Sequence, residues 1–298
     1  MTNYKPQVSL LLSVLPEVAK ETCFALHGGT AINLFVRDMP RLSVDIDLTY
    51  VPVEDRAKSF KNITKALERI KGNIEGVVPN TKVIHKHDAL KLQVSKAQAQ
   101  IKLEVNQAMR GTIEPLVKIA LCETAQETFD AFCEIDMLPF GQLYGGKICA
   151  ALDRQHPRDL FDVKYLLENE GFADDIKKGF LFGLLSSKRP MHEMLAPNLL
   201  DQRSAMANQF EGMSTEPFTY EDLVTTRNLL IQTIHVNLTE TDKEFLLSFE
   251  NGIPDWNLYN FKDYPAVQWK LQNLQKLKET NARKHNVQLK NLKSIFFK

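Results

Sequence analysis

Two aspartates, Asp45 and Asp47, stand one residue apart in "RLSVDIDLTY". Val44, Ile46 and Leu48 alternate with them. A period of two is that of a strand, so both carboxylates share one face, about 7 Å apart at their Cα atoms. Like charges placed this way repel unless a cation lies between them. Hard divalent ions such as magnesium take a few carboxylate oxygens together with water and substrate phosphates. Two such ions about 3.5–4 Å apart can activate an attacking oxygen and stabilise a leaving one. With 37 acidic residues among 298, an acid-x-acid triplet arises about five times from composition alone, so its surroundings must decide its meaning.

Those surroundings include Gly28, Gly29 and Thr30, seventeen to fifteen residues upstream of the aspartates. Two glycines permit a tight turn and close backbone approach, and a helix starting near Thr30 would offer free N–H groups to phosphate oxygens. A nucleoside triphosphate needs both features, a metal site and a phosphate cradle. No GxxxxGK[ST] occurs, which argues against a P-loop fold. Glu104, in "AQIKLEVN", lies opposite the Ile101, Leu103 and Val105 face and reads either as a third carboxylate for the nucleophile-side metal or as an exposed strand glutamate. His27 is more simply a buried strand-end histidine than a phosphate ligand.

A second group lies downstream. Lys147 and Arg154 are seven residues apart in "GQLYGGKICAALDR", two helical turns, and so share a helix face. Lysine meets phosphate as a point charge and arginine as a fork; Arg158 could join them. Asp162 follows Arg158 by four residues, so an ordinary i,i+4 pair would account for both. Asp159 falls in the first turn of a helix opened by Pro157, where the helix dipole alone favours a carboxylate.

The elements that would carry these residues are an amphipathic helix over 5–21, a short strand in "CFALHGG", renewed helical spacing in "TAINLFV", the aspartate strand, and a helix over 54–71. "TKVIHKH", "ALKLQVS" and "AQIKLEVN" suit a mixed or antiparallel sheet. After about residue 115 strand signals thin out, apart from "FCEIDMLP", and helices dominate, one of them opened by a capping box at "TDKE", 241–244. The expected fold is therefore α+β, an α/β lobe over 1–115 followed by an all-helical lobe over 116–298.

Totals are those of an ordinary soluble protein, 44% apolar and 25% charged, long enough for more than one core. The zero net charge conceals an asymmetry: residues 264–298 carry eight Lys/Arg against Glu279 alone, +7, and the remainder carries −7. In that basic end Leu271, Leu274 and Leu277 form a stripe that would dock a helix, leaving a solvated lysine face suited to RNA backbone. The four cysteines lack metal-ligand spacing and read as reduced, buried thiols. "VSLLLSVL" is too short to span a bilayer, so no signal peptide or membrane segment is expected and the expected location is cytoplasmic.

"GGTAINLFVRDMPRLSVDIDL", "IKLEVN" and "LYGGKICAALDRQHPRDLFDVKYLL" together resemble the AbiEii nucleotidyltransferase toxins of abortive phage infection, within the DNA polymerase β-like superfamily. The resemblance spans about residues 20–260. It implies a polymerase β-like nucleotidyltransferase core with a helical carboxy-terminal lobe, dependence on Mg2+ with two ions, and transfer of a nucleotidyl group from an NTP with release of pyrophosphate. Some members modify the acceptor end of tRNA, which implies an RNA acceptor, tRNA first; a neighbouring gene would encode the cognate antitoxin. Position by position, Gly28, Gly29 and Thr30 match the phosphate-facing turn, Asp45 and Asp47 the metal pair, Lys147 the triphosphate lysine, and Asp162 the helical DxxxL aspartate. Thr30 stands where serine is common, and the interval to the first aspartate is longer. A reading from another class is a nucleotide-binding sensor or interaction protein with the same pocket and no transfer chemistry.

Overall fold

The computed structural model of the chain describes residues 4–297. Its first part runs α1 (Lys5–Ala19), β1 (Phe24–His27), α2 (Gly28–Ala31) continued by a π-helical turn (Ile32–Val36), β2 (Asp45–Tyr50), α3 (Arg56–Val77), β3 (Lys82–Lys86), β4 (Lys91–Lys96), β5 (Ala99–Arg110), β6 (Val117–Ala120), α4 (Glu123–Phe129) and β7 (Glu134–Met137). The seven strands form one mixed sheet in the order β3-β4-β5-β2-β1-β7-β6. β2 lies centrally, antiparallel to β1 and parallel to β5.

Alternation along β2 and β5 divides the sheet into an apolar and a charged face. Ile46 aligns with Leu103 and Leu48 with Val105, all buried, and α1 and α3 pack against the strands of this half of the sheet. Each such aliphatic side chain stabilises the fold by roughly 1.5–3 kcal/mol on burial. On the other face Asp45 aligns with Lys102 and Asp47 with Glu104. A one-residue slip would bury these charges, so the apolar stripe fixes the register that brings them together.

The second part is helical: α5 (Phe140–Arg154), α6 (Pro157–Asn169), α7 (Asp174–Ser186), α8 (Met191–Leu195), α9 (Arg203–Ala205), α10 (Tyr220–Asn237), α11 (Glu240–Glu250), α12 (Pro265–Thr280) and α13 (Ala282–Phe296). α5 and α7 cross backbone to backbone. A Cβ on Gly145 would fall 2.1 Å from the carbonyl carbon of Gly179, and one on Gly179 would fall 2.0 Å from the Gly141 oxygen. Glycine at these positions permits a separation that any side chain would prevent.

The chain divides into two compact units, Met1–Pro139 with Ala207–Phe218, and Phe140–Met206 with Thr219–Lys298. The first unit thus extends past the boundary expected near residue 115, because β7 pairs in parallel with β1 and carries β6 beside it. Residues 207–218 return to this unit, where Leu42 donates to the Met213 carbonyl at 2.7 Å. Other expectations shift in detail. The capping box before α11 uses Thr239 and Asp242 rather than Thr241 and Glu244. The basic end forms two helices, α12 and α13, with Leu271 and Leu274 buried. All four cysteines are free, but only Cys133 is fully buried. Among the described residues no helix is long and apolar enough to cross a membrane.

Candidate active site

In the first unit the site is built where β1 ends. His27, half-buried, aligns with Asp47 on β2, and the chain then turns at Gly28 with φ +76°. That left-handed conformation suits glycine. The space matters as well, because a Cβ on Gly28 would stand 2.4 Å from Asp47 Oδ2. The Asp47 carboxylate therefore rests directly on the turn. Asp45 and Asp47 are both half-buried on the charged sheet face. Carboxylates beside a glycine turn, with hard oxygens and partial access to water, suit a divalent ion of the magnesium type.

Thr30 is fully buried. Its hydroxyl lies 2.5 Å from the Asp45 carbonyl and 2.9 Å from the Ser43 hydroxyl. With a single proton, Thr30 donates to the carbonyl and accepts from Ser43. This side chain ties the turn to the aspartate strand, so a phosphate could meet Thr30 only through its backbone. Asn33 Nδ2 donates to the Gly29 carbonyl at 2.9 Å, bracing the same turn.

Arg41 and Ser43 were not singled out from the sequence, and they complete this arrangement. Arg41 is 2% exposed, its Nη1 donates to the Leu42 carbonyl at 3.0 Å, and its Nη2 would lie 2.8 Å from a Cβ on Gly29. A buried guanidinium thus backs the glycine turn. The signal was available: residues 41, 43, 45 and 47 are alternate positions of one extended stretch, which carries Arg, Ser, Asp and Asp in turn.

Glu104 aligns with Asp47 on the neighbouring strand and shares its face. Its carboxylate is bonded to the Lys91 ammonium from β4. The third carboxylate is therefore in register with the pair but matched by a cation of its own.

The second unit holds a buried ionic cluster at the α5–α6 corner. Lys147 Nζ lies 3.0 Å from Asp159 Oδ1 and 3.0 Å from Asp162 Oδ2. Arg154 grips Asp159 as a fork, Nε to Oδ2 at 2.5 Å and Nη2 to Oδ1 at 2.9 Å. Lys147 and both aspartates are buried, whereas the Arg154 side chain is 58% exposed. Burial by itself would raise the Asp159 pKa, but the charges of Lys147 and Arg154 outweigh it and hold the carboxyl well below the usual range.

Two readings from the sequence are extended here, since Asp159 does lie in the first turn of α6. Asp162 meets Lys147, so an i,i+4 pair with Arg158 is not needed to account for it. Asp159 does more than complement a helix dipole, because it bridges two cations. Arg158 is half-buried, and its backbone N–H donates to the capping His156 ring at 3.2 Å. The corner is locked by Gln155 at φ +51°, whose buried amide donates to the Asn198 carbonyl at 2.7 Å and accepts from Leu200 N and Arg227 Nη1, each at 2.9 Å.

A mixed sheet that presents paired carboxylates beside a glycine turn, followed by a helical unit with a lysine–aspartate cluster, is compatible with a nucleotidyltransferase-type enzyme. Residues 9–273 match the family described as "Nucleotidyl transferase AbiEii toxin, Type IV TA system", and the chain belongs to that family. It is a nucleotidyltransferase toxin of a type IV toxin–antitoxin system. Among solved structures it is similar to MenT4, a nucleotidyltransferase toxin from Mycobacterium tuberculosis H37Rv, with TM-score 0.62 and 11% identity, over 90% of this chain and 92% of that one. At that identity the likeness speaks for the fold. No curated protein matches the chain.

Proposed function

We propose that the protein transfers a nucleoside monophosphate from an NTP to an RNA acceptor, tRNA above all, in a magnesium-dependent reaction that arrests growth during phage infection. The reading is carried by the Asp47 carboxylate lying on the Gly28 turn, 2.4 Å from where a Cβ would stand. Asp45 and Asp47 would hold the ion, which when bound neutralises charge on the α-phosphate and acidifies the acceptor hydroxyl. Gly28, Gly29 and the Thr30 backbone receive phosphate oxygens, and the buried Arg41 adds positive potential behind them. The family resemblance would give Lys147, Arg154 and Arg158 of the second unit a role toward the triphosphate; within that unit Asp159 and Asp162 fix the position of Lys147. The acceptor oxygen bonds to the α-phosphorus while the bond to the bridging oxygen breaks, so pyrophosphate leaves. Family membership supports an antitoxin partner, and the absence of a spanning helix among the described residues is compatible with a cytoplasmic location.

One observation favours a second reading. Glu104, the carboxylate available for the acceptor side, is engaged by Lys91. If that pair persists in the complex, the pocket would bind nucleotide and metal as a sensor without activating an acceptor. The two readings separate on incubation with each labelled NTP, total RNA and magnesium, comparing the intact protein with Asp47→Ala. Label in RNA with the intact protein alone supports transfer; tight NTP binding with no label in RNA, protein or small molecules removes it.

A further inference from the structure

Away from the carboxylate pair, the first unit gathers two imidazoles and a carboxylate at one edge of its sheet. His85 belongs to β3, the edge strand, and His87 opens the single 3₁₀ turn, His87–Ala89, that follows it. Glu68 stands on α3. One donor atom from each of the three lies within 4.8 Å of the others.

Strand register places this group on the far side of the sheet from Asp45 and Asp47. His85 aligns with Leu92, Leu92 with Leu103, and Leu103 with Ile46. Residues aligned in this way share a face, so His85 lies on the apolar face, against which α3 packs. Three strand spacings separate β3 from β2, about 14 Å. The cluster is therefore distinct from the residues assigned to transfer.

Its geometry is close to that of a metal site. The His85 side chain is 2% exposed, and its Nδ1 lies 2.6 Å from Glu68 Oε1; His87 Nε2 lies 3.5 Å from the same oxygen. Bonds of about 2.0–2.2 Å to a tetrahedral Zn2+ put neighbouring donor atoms roughly 3.4 Å apart, so the two separations bracket what the ion requires. His85 Nε2 is buried without a hydrogen-bond partner, and Nδ1 carries that ring's contact with the cluster. The two rings are stacked, with centroids 3.9 Å apart and planes at 29°. Nearly parallel rings do not aim both lone pairs at one point, so His87 must tilt on binding. Its side chain is 60% exposed and that of Glu68 45%, which leaves both able to adjust around the buried His85.

The donor set selects the ion. Two neutral imidazoles with one carboxylate suit zinc and its first-row neighbours, whereas magnesium prefers oxygen alone. A His85–Glu68 hydrogen bond would account for two of the three residues; a third donor beside them is what a metal requires and a hydrogen-bonded pair does not. We propose that Glu68, His85 and His87 bind a zinc-type divalent ion, with water in the fourth position, and that the ion clasps the edge strand and its following turn to α3. An ion that binds only the folded chain stabilises it by mass action.

Calorimetric titration of the full chain, without a histidine tag and stripped of metal, tests this with Zn2+ in excess magnesium, which fills hard oxygen sites without competing for imidazole. One Zn2+ should bind at the cluster and raise Tm. Loss of a residue that merely supports a metal ligand costs 10–100-fold in affinity, so His87→Ala and Glu68→Gln, which remove ligands, should each weaken binding by at least about tenfold and abolish the rise in Tm. Both side chains are well exposed, and melting without metal checks that the variants fold. Asp47→Asn should bind Zn2+ as the intact chain does, which keeps this site separable from the transfer reaction. Co2+ in place of Zn2+ should give the visible absorption of tetrahedral coordination, lost in His87→Ala. Failure to bind Zn2+, affinity unchanged in both ligand variants, or loss in Asp47→Asn with retention in His87→Ala would each overturn the proposal.

Discussion

Asp47 Oδ2 occupies the space a side chain at position 28 would need: a Cβ there would stand 2.4 Å away, at a backbone φ of +76°. Gly28→Ala therefore meets two obstacles. The left-handed conformation costs a non-glycine residue about 1–2 kcal/mol, and the carboxylate must move. The expected outcome is a modest loss of stability with a loss of nucleotidyl transfer of about 100-fold, since a 1 Å misplacement of a catalytic group can cost that much. Thermal melting and label incorporation measured on one preparation check it; transfer at the intact rate would show that the contact is dispensable.

Asp47→Asn separates charge from shape. The residue is half-buried, and the change relieves repulsion with Asp45, so stability should stay within about 0.5 kcal/mol. Transfer should fall by at least about 100-fold, because loss of residues that merely support a metal ligand already costs 10–100-fold. Magnesium titration should show a weaker apparent affinity. An unchanged magnesium dependence would remove Asp47 from the metal site.

How much of this was legible in the sequence differs between the two units. Period-two spacing placed Asp45 and Asp47 on one strand face and Glu104 opposite the apolar residues of its own strand, while the β2–β5 pairing, with its buried apolar stripe fixing the register, brings the three to one sheet face. The partners of Lys147 were less visible. Asp159 is twelve residues away, across a corner that depends on Gln155 at positive φ and on acceptors near residue 200. Lys270 reads as one more lysine on a basic face, yet it is buried against two carbonyls, a consequence of tertiary packing that helical spacing does not encode. The expected boundary near 115 fell short for a similar reason: β6 is only four residues long and, although "FCEIDMLP" marked β7, what attaches both strands to the first unit is the parallel pairing of β7 with β1 and of β6 with β7.

Asp159→Asn should be among the costliest single changes in the second unit. It removes a 1%-exposed carboxylate that faces Lys147 and Arg154, leaving Lys147 with Asp162 alone among these partners. Breaking a buried pair from one side costs about 3–5 kcal/mol. The pH dependence has a definite sign. The Asp159 pKa is lowered on folding from an ordinary value of 3.8, so its contribution is fully present above that value and is lost as pH falls below it. Acid titration followed by circular dichroism should show the intact protein losing stability below about pH 4, with this component missing in Asp159→Asn. Equal acid sensitivity in the two proteins would contradict the assignment.

The α5–α7 crossing gives a matched pair of substitutions on adjacent residues. A Cβ on Gly145 would lie 2.1 Å from Gly179, whereas one on Gly146 meets nothing within 4 Å. Both positions are helical, so alanine improves intrinsic helix propensity at each by about 0.8–1 kcal/mol. At position 146 that gain should appear as a small rise in Tm with transfer unchanged. At position 145 the methyl group must push two backbones apart, and overpacking of about 1–3 kcal/mol or more should dominate. Because Lys147 is two residues along the same helix, its contacts with Asp159 and Asp162 should loosen, and transfer should fall together with Tm. Melting curves for Gly145→Ala and Gly146→Ala that shift in the same direction would show that the crossing can relax, and that the glycines do not set the position of Lys147.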